Sequence, residues 1–93
     1  MSEALWPDIQ VLNYDFQQIN DPSYLKVHTY PEPTDPSVRL ALIEWVKTDP
    51  DEVTNTKLVD RCPMSHVDAM AVANLFAEKN GVPVIYERMD PVR

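Results

Sequence analysis

Glycine is almost missing from this chain, which contains one glycine and nine prolines in 93 residues. Average usage would give about six glycines and five prolines in this length. Loops that cradle phosphates depend on several closely spaced glycines, so the Walker and dinucleotide-binding motifs are absent. The sequence therefore excludes the common nucleotide-dependent enzymes, and we expect no cofactor.

Paired cysteines and long hydrophobic runs are lacking as well. Cys62 is the single cysteine, so an internal disulfide bond is impossible and nothing indicates an oxidising compartment. No apolar run approaches the roughly 18 residues of a membrane span, and the N-terminus has no basic region followed by an apolar stretch. We expect a cytoplasmic protein without a membrane anchor or signal peptide.

Basic residues are scarce: eight Lys and Arg stand against fifteen Asp and Glu, which gives a formal charge of −7. Basic side chains drive binding to phosphate backbones, so neither nucleic acid nor an anionic membrane is expected as a direct ligand. Residues 1–25 contain no Lys or Arg, and a second acidic cluster consists of Asp49, Asp51 and Glu52. These acids either keep the protein soluble or form a surface for a basic partner, as in an inhibitor that imitates nucleic acid.

The first third of the chain predicts two strands. Residues 9–16 alternate in hydrophobicity, and residues 24–30 alternate more clearly, with Leu25, Val27 and Thr29 on one face. The Asn-Asp-Pro-Ser group at 20–23 is typical of a turn. Together these segments indicate a β-hairpin.

A helix is predicted from Asp35 to about Thr48. Asp35 has the character of an N-cap residue and Pro36 suits the first helical position. Apolar residues then recur with helical spacing, at Val38, Ala41, Leu42, Trp45 and Val46. Asp49-Pro50 ends the helix, because the residue before a proline disfavours helical geometry.

The second half predicts a polar loop at 51–56, a short strand at 56–60, a helix and a last strand. Ser65 begins the helix as its N-cap, and Asn80-Gly81 ends it in a Schellman motif. Residues 82–88 start with a nearly continuous apolar run, which suits a buried strand. A chain of this length forms one domain, and the predicted fold is a two-layer α+β sandwich, with a sheet of three or four strands covered on one face by two helices.

Signals for catalysis are weak. The chain shows no nucleophile elbow, and Cys62 with His66 supplies too few ligands for a structural metal site. The run Cys62-Pro63-Met64-Ser65 before a helix resembles the Cys-x-x-Ser motif of monothiol redox proteins with the thioredoxin fold, which implies thiol-redox chemistry at a thiol made acidic by the helix dipole. The alternative, which we favour, is an inert and half-buried cysteine.

Both predicted helices carry more apolar surface than one sheet-facing stripe needs. In so small a domain the second apolar side is explained either by another protein chain or by a covering N-terminal segment with Leu5, Trp6 and Ile9. We expect a non-enzymatic interaction module, either a homodimer or an accessory or regulatory subunit. The predicted partner-binding residues comprise four apolar helix positions and the second acidic cluster: Leu40, Ile43, Met70, Phe76, Asp49, Asp51 and Glu52.

Overall fold

The computed structural model describes residues 9–13, 22–49 and 52–91. Its elements are β1 (Gln10–Asn13), β2 (Ser23–Glu32), β3 (Asp35–Asp49), β4 (Glu52–Pro63), α1 (His66–Asn80) and β5 (Val84–Met89). The strands form one mixed sheet in the order β1-β5-β2-β3-β4. Strands β1 and β2 both run parallel to β5, whereas β3 pairs antiparallel with β2 and with β4.

The predicted sandwich with two helices and three or four strands is wrong, because the described residues form five strands and one helix. The main error lies at residues 35–48, where the helix predicted from apolar spacing is the central strand β3. A strand that is apolar on both faces also places apolar residues at helical spacings, so the pattern alone did not separate the two. Strand pairing shows that this segment is a strand, since β3 is hydrogen-bonded to β2 on one side and to β4 on the other.

The residues assigned to the start of that helix form the β2–β3 hairpin instead. Asp35 is not a helix N-cap; its carboxylate accepts a hydrogen bond from the Ser37 hydroxyl, 2.6 Å away, at the start of β3. The Glu32 carboxylate accepts hydrogen bonds from the hydroxyl and the backbone N–H of Thr34 across the turn. Short polar side chains thus stabilise this turn locally.

Two further predictions need correction. The hairpin between the first two strands is wrong, because β5 lies between β1 and β2. The short strand at 56–60 and most of the polar loop before it form one edge strand of twelve residues, β4. Within the predicted strand at 9–16, Gln10–Asn13 is β1, and residues 14–16 lie outside the described part.

Predictions that depended on local signals are confirmed. Leu25, Val27 and Thr29 are fully buried along one face of β2. The Ser65 hydroxyl accepts a hydrogen bond from the Asp68 backbone N–H at the start of α1. At its end Gly81 has a left-handed φ of 67°, and the Val82 backbone N–H donates to the Ala77 carbonyl 3.0 Å away, as a Schellman motif requires.

The core lies between α1 and one face of the sheet. Helix α1 packs against β2, β3 and β5, and the Phe76 ring meets the Trp45 ring edge to face with centroids 5.0 Å apart. The fully buried residues of this layer include Leu25, Val27, Ala41, Ile43, Ala69, Ala73, Ala77 and Ile85. No helix in the described part of the chain has the length and apolar character needed to cross a membrane.

Candidate functional site

Helix α1 presents apolar side chains to solvent on the face that points away from the sheet. The exposed fractions are 77% for Val67, 64% for Leu75 and 37% for Val72. Ala71 is also exposed. We call Val67, Ala71, Val72 and Leu75 the outer stripe of α1.

Alanines form the opposite face of α1, which packs on the sheet. Ala69, Ala73 and Ala77 recur every four residues, are fully buried, and allow the helix backbone to approach the sheet closely. Three larger apolar residues of the helix lie on the outer face and not in the core: Val67, Val72 and Leu75. Exposing this much apolar surface on one helix costs free energy unless something covers it.

Opposite charges flank the outer stripe. Asp68 lies in the first turn of α1 and Lys79 in the last, and both side chains are exposed. Each interacts favourably with the helix dipole, which is positive at the N-terminus and negative at the C-terminus. Among the described residues neither is part of an ion pair.

The structure distributes the seven predicted partner-binding residues over several regions. Ile43 is fully buried in the core, and Met70 and Phe76 are half-buried against it. Leu40 is half-buried on β3, on the face away from α1. Asp49 and Glu52 face each other in the register of β3 and β4, whereas Asp51 lies outside the described residues.

The outer stripe itself was not singled out from the sequence. The excess of apolar residues in this helix was evident, but its inward face was not identified. The signal was the spacing of Ala69, Ala73 and Ala77, since small residues repeated every four positions mark a face of close packing. If that face packs on the sheet, then Val67, Val72 and Leu75 are exposed to solvent.

A second feature is a cavity of about 520 Å³ at the end of the sheet that carries the β2–β3 turn. Four prolines and the Tyr30 side chain contribute to its wall, together with His28, Glu32, Arg88 and Asp90. The Asp90 carboxylate accepts hydrogen bonds from His28 Nε2 at 3.0 Å and from Arg88 Nε at 2.8 Å. Among the described residues that line this cavity there is no serine, threonine or cysteine, and the side-chain hydroxyl beside the His28–Asp90 pair is that of Tyr30.

The hydrogen bond from His28 holds the pKa of the Asp90 carboxyl below its ordinary value of 3.8, against the opposing effect of burial, which is the next largest, and the hydrogen bond from Arg88 adds to the lowering. A carboxylate with a lowered pKa in the folded protein stabilises the fold above its unfolded pKa, and this contribution is lost as pH falls through the folded pKa. The stabilisation by Asp90 is therefore complete above about pH 5 and declines at more acidic pH.

We expect Asp90→Asn to lower the free energy of unfolding by about 1 kcal/mol near neutral pH, since the amide keeps the shape but loses the charge. The difference between wild type and variant should shrink below about pH 5, as the Asp90 carboxyl becomes protonated. Urea unfolding at a series of pH values measures this difference directly. A difference that stays constant down to about pH 2.5 would contradict the role assigned to the carboxylate.

A partly buried polar network, with the fully buried Thr29 at its centre, lies on the other face of the same sheet end. The Thr29 hydroxyl is 2.7 Å from His66 Nδ1, and His66 Nε2 donates to the Glu87 carboxylate at 2.7 Å. Arg39 also donates to the Thr29 hydroxyl, at 3.2 Å. Hydroxyl, imidazole and carboxylate thus form a series like that of a nucleophile and its base, but Thr29 is fully buried and out of reach of a substrate. The network ties the start of α1 to β2 and β5.

Cys62 does not lie at the N-terminus of α1, where the helix dipole would make its thiol more acidic. It lies within β4 opposite Ala41, before the N-cap of α1, and its side chain is exposed rather than half-buried. The Sγ atom lies 3.9 Å from the Asp60 carbonyl oxygen. The helix dipole, which the Cys-x-x-Ser resemblance implies would activate this thiol, acts mainly within the first turn of α1, which begins at His66.

No group of three or more His, Cys, Asp or Glu side chains suited to a metal ion occurs within residues 9–13, 22–49 and 52–91. Comparisons with protein-family models, with curated proteins and with solved structures found no match for this chain. The functional argument therefore depends on the geometry of the described residues.

Proposed function

We propose that this protein is a non-enzymatic interaction module that binds another protein chain through the outer stripe of α1. The observation that carries the proposal is the exposure of Val67, Val72 and Leu75 on one face of a single helix. Contiguous exposed apolar surface is a feature of protein-binding sites, whereas single exposed apolar residues are ordinary. Other exposed apolar residues, such as Val53 on β4 and Met89 on β5, lie on separate strands.

The alternatives have less support. The polar groups around the sheet-end cavity are engaged with one another, since Asp90 binds His28 and Arg88 and Glu32 binds Thr34. The argument for a thiol-redox function required Cys62 at the N-terminus of a helix, whereas Cys62 lies in β4. An acidic inhibitor would need the acids of residues 1–25 and of the second acidic cluster on one surface, and Glu3, Asp8, Asp15, Asp21 and Asp51 lie outside the described residues.

Replacing Leu75 with glutamate tests the outer stripe. We expect Leu75→Glu to abolish recovery of the partner when the tagged protein is purified from its native cells, because the substitution places a charge in the centre of an apolar contact. The same variant should unfold within about 0.5 kcal/mol of wild type, because the side chain is exposed. The first measurement is the amount of each stoichiometric partner that is recovered, and a differently tagged copy of the chain counts as one such partner. The second measurement is urea unfolding.

Val53→Glu is the matched control, because Val53 on β4 is 63% exposed and Leu75 is 64% exposed. It introduces the same charge into an equally exposed apolar position away from α1, and partner recovery should stay at the wild-type level. If Leu75→Glu kept every partner that the wild type binds, the outer stripe would not be the binding surface.

A further inference from the structure

We infer that Val72 and Leu75 of the outer stripe bind a second copy of this protein, with the two α1 helices antiparallel and Asp68 of each facing the partner's Lys79. Val67 and Ala71 lie to one side of this contact. This inference rests on the proposed function and names its partner. It follows from the order of residues along α1, from their charges and from their exposure.

Four exposed positions of α1 form a self-complementary row. Asp68, Val72, Leu75 and Lys79 follow one another at spacings of four, three and four, which keeps them on one side of the helix. The row is symmetric about the level midway between residues 73 and 74. A two-fold axis at that level therefore brings Leu75 opposite the partner's Val72 and Asp68 opposite the partner's Lys79, as an isologous interface requires.

The charges select the antiparallel arrangement. Parallel helices in register would place Asp68 against the partner's Asp68 and Lys79 against the partner's Lys79, which is repulsive at both ends. Antiparallel helices form two attractive pairs instead. Favourable dipole interactions explain an acid in the first turn and a base in the last, but they do not explain why the two positions between them, Val72 and Leu75, are apolar and exposed.

Small size and net charge limit the affinity. A helix of 15 residues is about 22 Å long, and a pair of such helices buries less than the roughly 800 Å² per partner of standard interfaces. The net charge of −7 adds repulsion between copies, although a Debye length of about 8 Å at 0.15 M salt screens charges far from the contact. We expect a dissociation constant of about 10–100 μM.

Sedimentation velocity from about 5 to 500 μM protein at 0.15 M salt tests self-association. The wild type should change from monomer to dimer across this range, and Val53→Glu should behave like the wild type. Leu75→Glu should remain monomeric throughout. Circular dichroism spectra of the three proteins should coincide, which shows that the fold is retained.

A charge-exchange experiment tests whether Asp68 and Lys79 lie at the contact, and its single variants test the arrangement of the helices, because a parallel wild type would already contain two repulsive pairs and would lose nothing by either substitution. Asp68→Lys alone and Lys79→Asp alone each produce two repulsive pairs in a homodimer, so each variant should dimerise less than the wild type. An equimolar mixture of the two restores two attractive pairs in the heterodimer. We expect the mixed dimer to be about tenfold tighter than either homodimer at 0.15 M salt, with the preference reduced at 1 M salt.

The outcomes separate the two proposals. A wild type that stays monomeric at about 500 μM overturns self-pairing, while loss of a different partner by Leu75→Glu would leave the proposed function standing. A dimer that Leu75→Glu leaves intact overturns self-pairing through the outer stripe, and it overturns the proposed function as well only if Leu75→Glu also keeps every other partner. Single variants that dimerise as tightly as the wild type, or a mixture that associates no more tightly than its components, overturn the antiparallel pairing of Asp68 with the partner's Lys79.

Discussion

Replacing Ile43 with alanine is expected to lower the free energy of unfolding by about 2–5 kcal/mol. Ile43 is fully buried on β3, where it pairs in register with Val27 of β2 and Val59 of β4. Removing three carbons there leaves a cavity between the sheet and α1 that strands held on both sides cannot close. Urea unfolding followed by circular dichroism gives the difference. Single domains are stable by only about 5–15 kcal/mol, so the effect is a large part of the total.

Val53→Ala is the control for the Ile43 prediction, because Val53 is an exposed β-branched residue of β4. It should change the free energy of unfolding by no more than about 0.5 kcal/mol. The folded fraction of Ile43→Ala should self-associate like the wild type, since the side chain contributes no surface. If Ile43→Ala unfolded with the same free energy as the wild type but self-associated more weakly, Ile43 would belong to the binding surface, as the sequence predicted.

Replacing Thr29 with valine is expected to lower the free energy of unfolding by about 1–3 kcal/mol, although valine has almost the same shape. The Thr29 hydroxyl is fully buried and contacts both His66 Nδ1 and Arg39 Nη1. Valine fills the space but leaves both nitrogens without this partner, and the cost of an unsatisfied buried polar group exceeds the small gain from an added methyl. Urea unfolding at neutral pH measures the loss.

Thr56→Val is the matched control, because Thr56 is an exposed threonine of β4. It makes the same chemical change where no buried network depends on the hydroxyl, and the change in stability should stay within about 0.5 kcal/mol. Thr29→Ser, which keeps the hydroxyl and removes the methyl, should retain the network. If valine at position 29 were as stable as wild type, the contacts with His66 and Arg39 would contribute nothing to the fold.

The proposed binding surface was predictable in part. The excess of apolar residues between Val67 and Ala77 can be read from the sequence, and it led to the interaction hypothesis. Which residues face outward depends on the side of α1 that packs on the sheet. The buried alanines at 69, 73 and 77 decide that, and they leave Leu75 exposed while Phe76 packs on Trp45. The sheet-end cavity and the Thr29–His66 network join residues far apart in the chain, so sequence spacing gave no sign of them.

Local chemistry determined what the sequence alone revealed about the fold. The Ser65 cap, the left-handed Gly81 and the alternation along β2 depend on neighbouring residues, so their physics is complete within a few positions of the chain. Only the tertiary structure decided whether residues 35–49 form a helix or a strand, and where β1 lies in the order of the strands. An apolar segment satisfies its backbone hydrogen bonds within itself as a helix or with its neighbours as a strand, and here β2 and β4 supply those neighbours on both sides. Likewise β5, which follows α1 and is the last of the described strands in sequence, separates β1 from β2, because parallel pairing with β5 joins segments that no local turn connects.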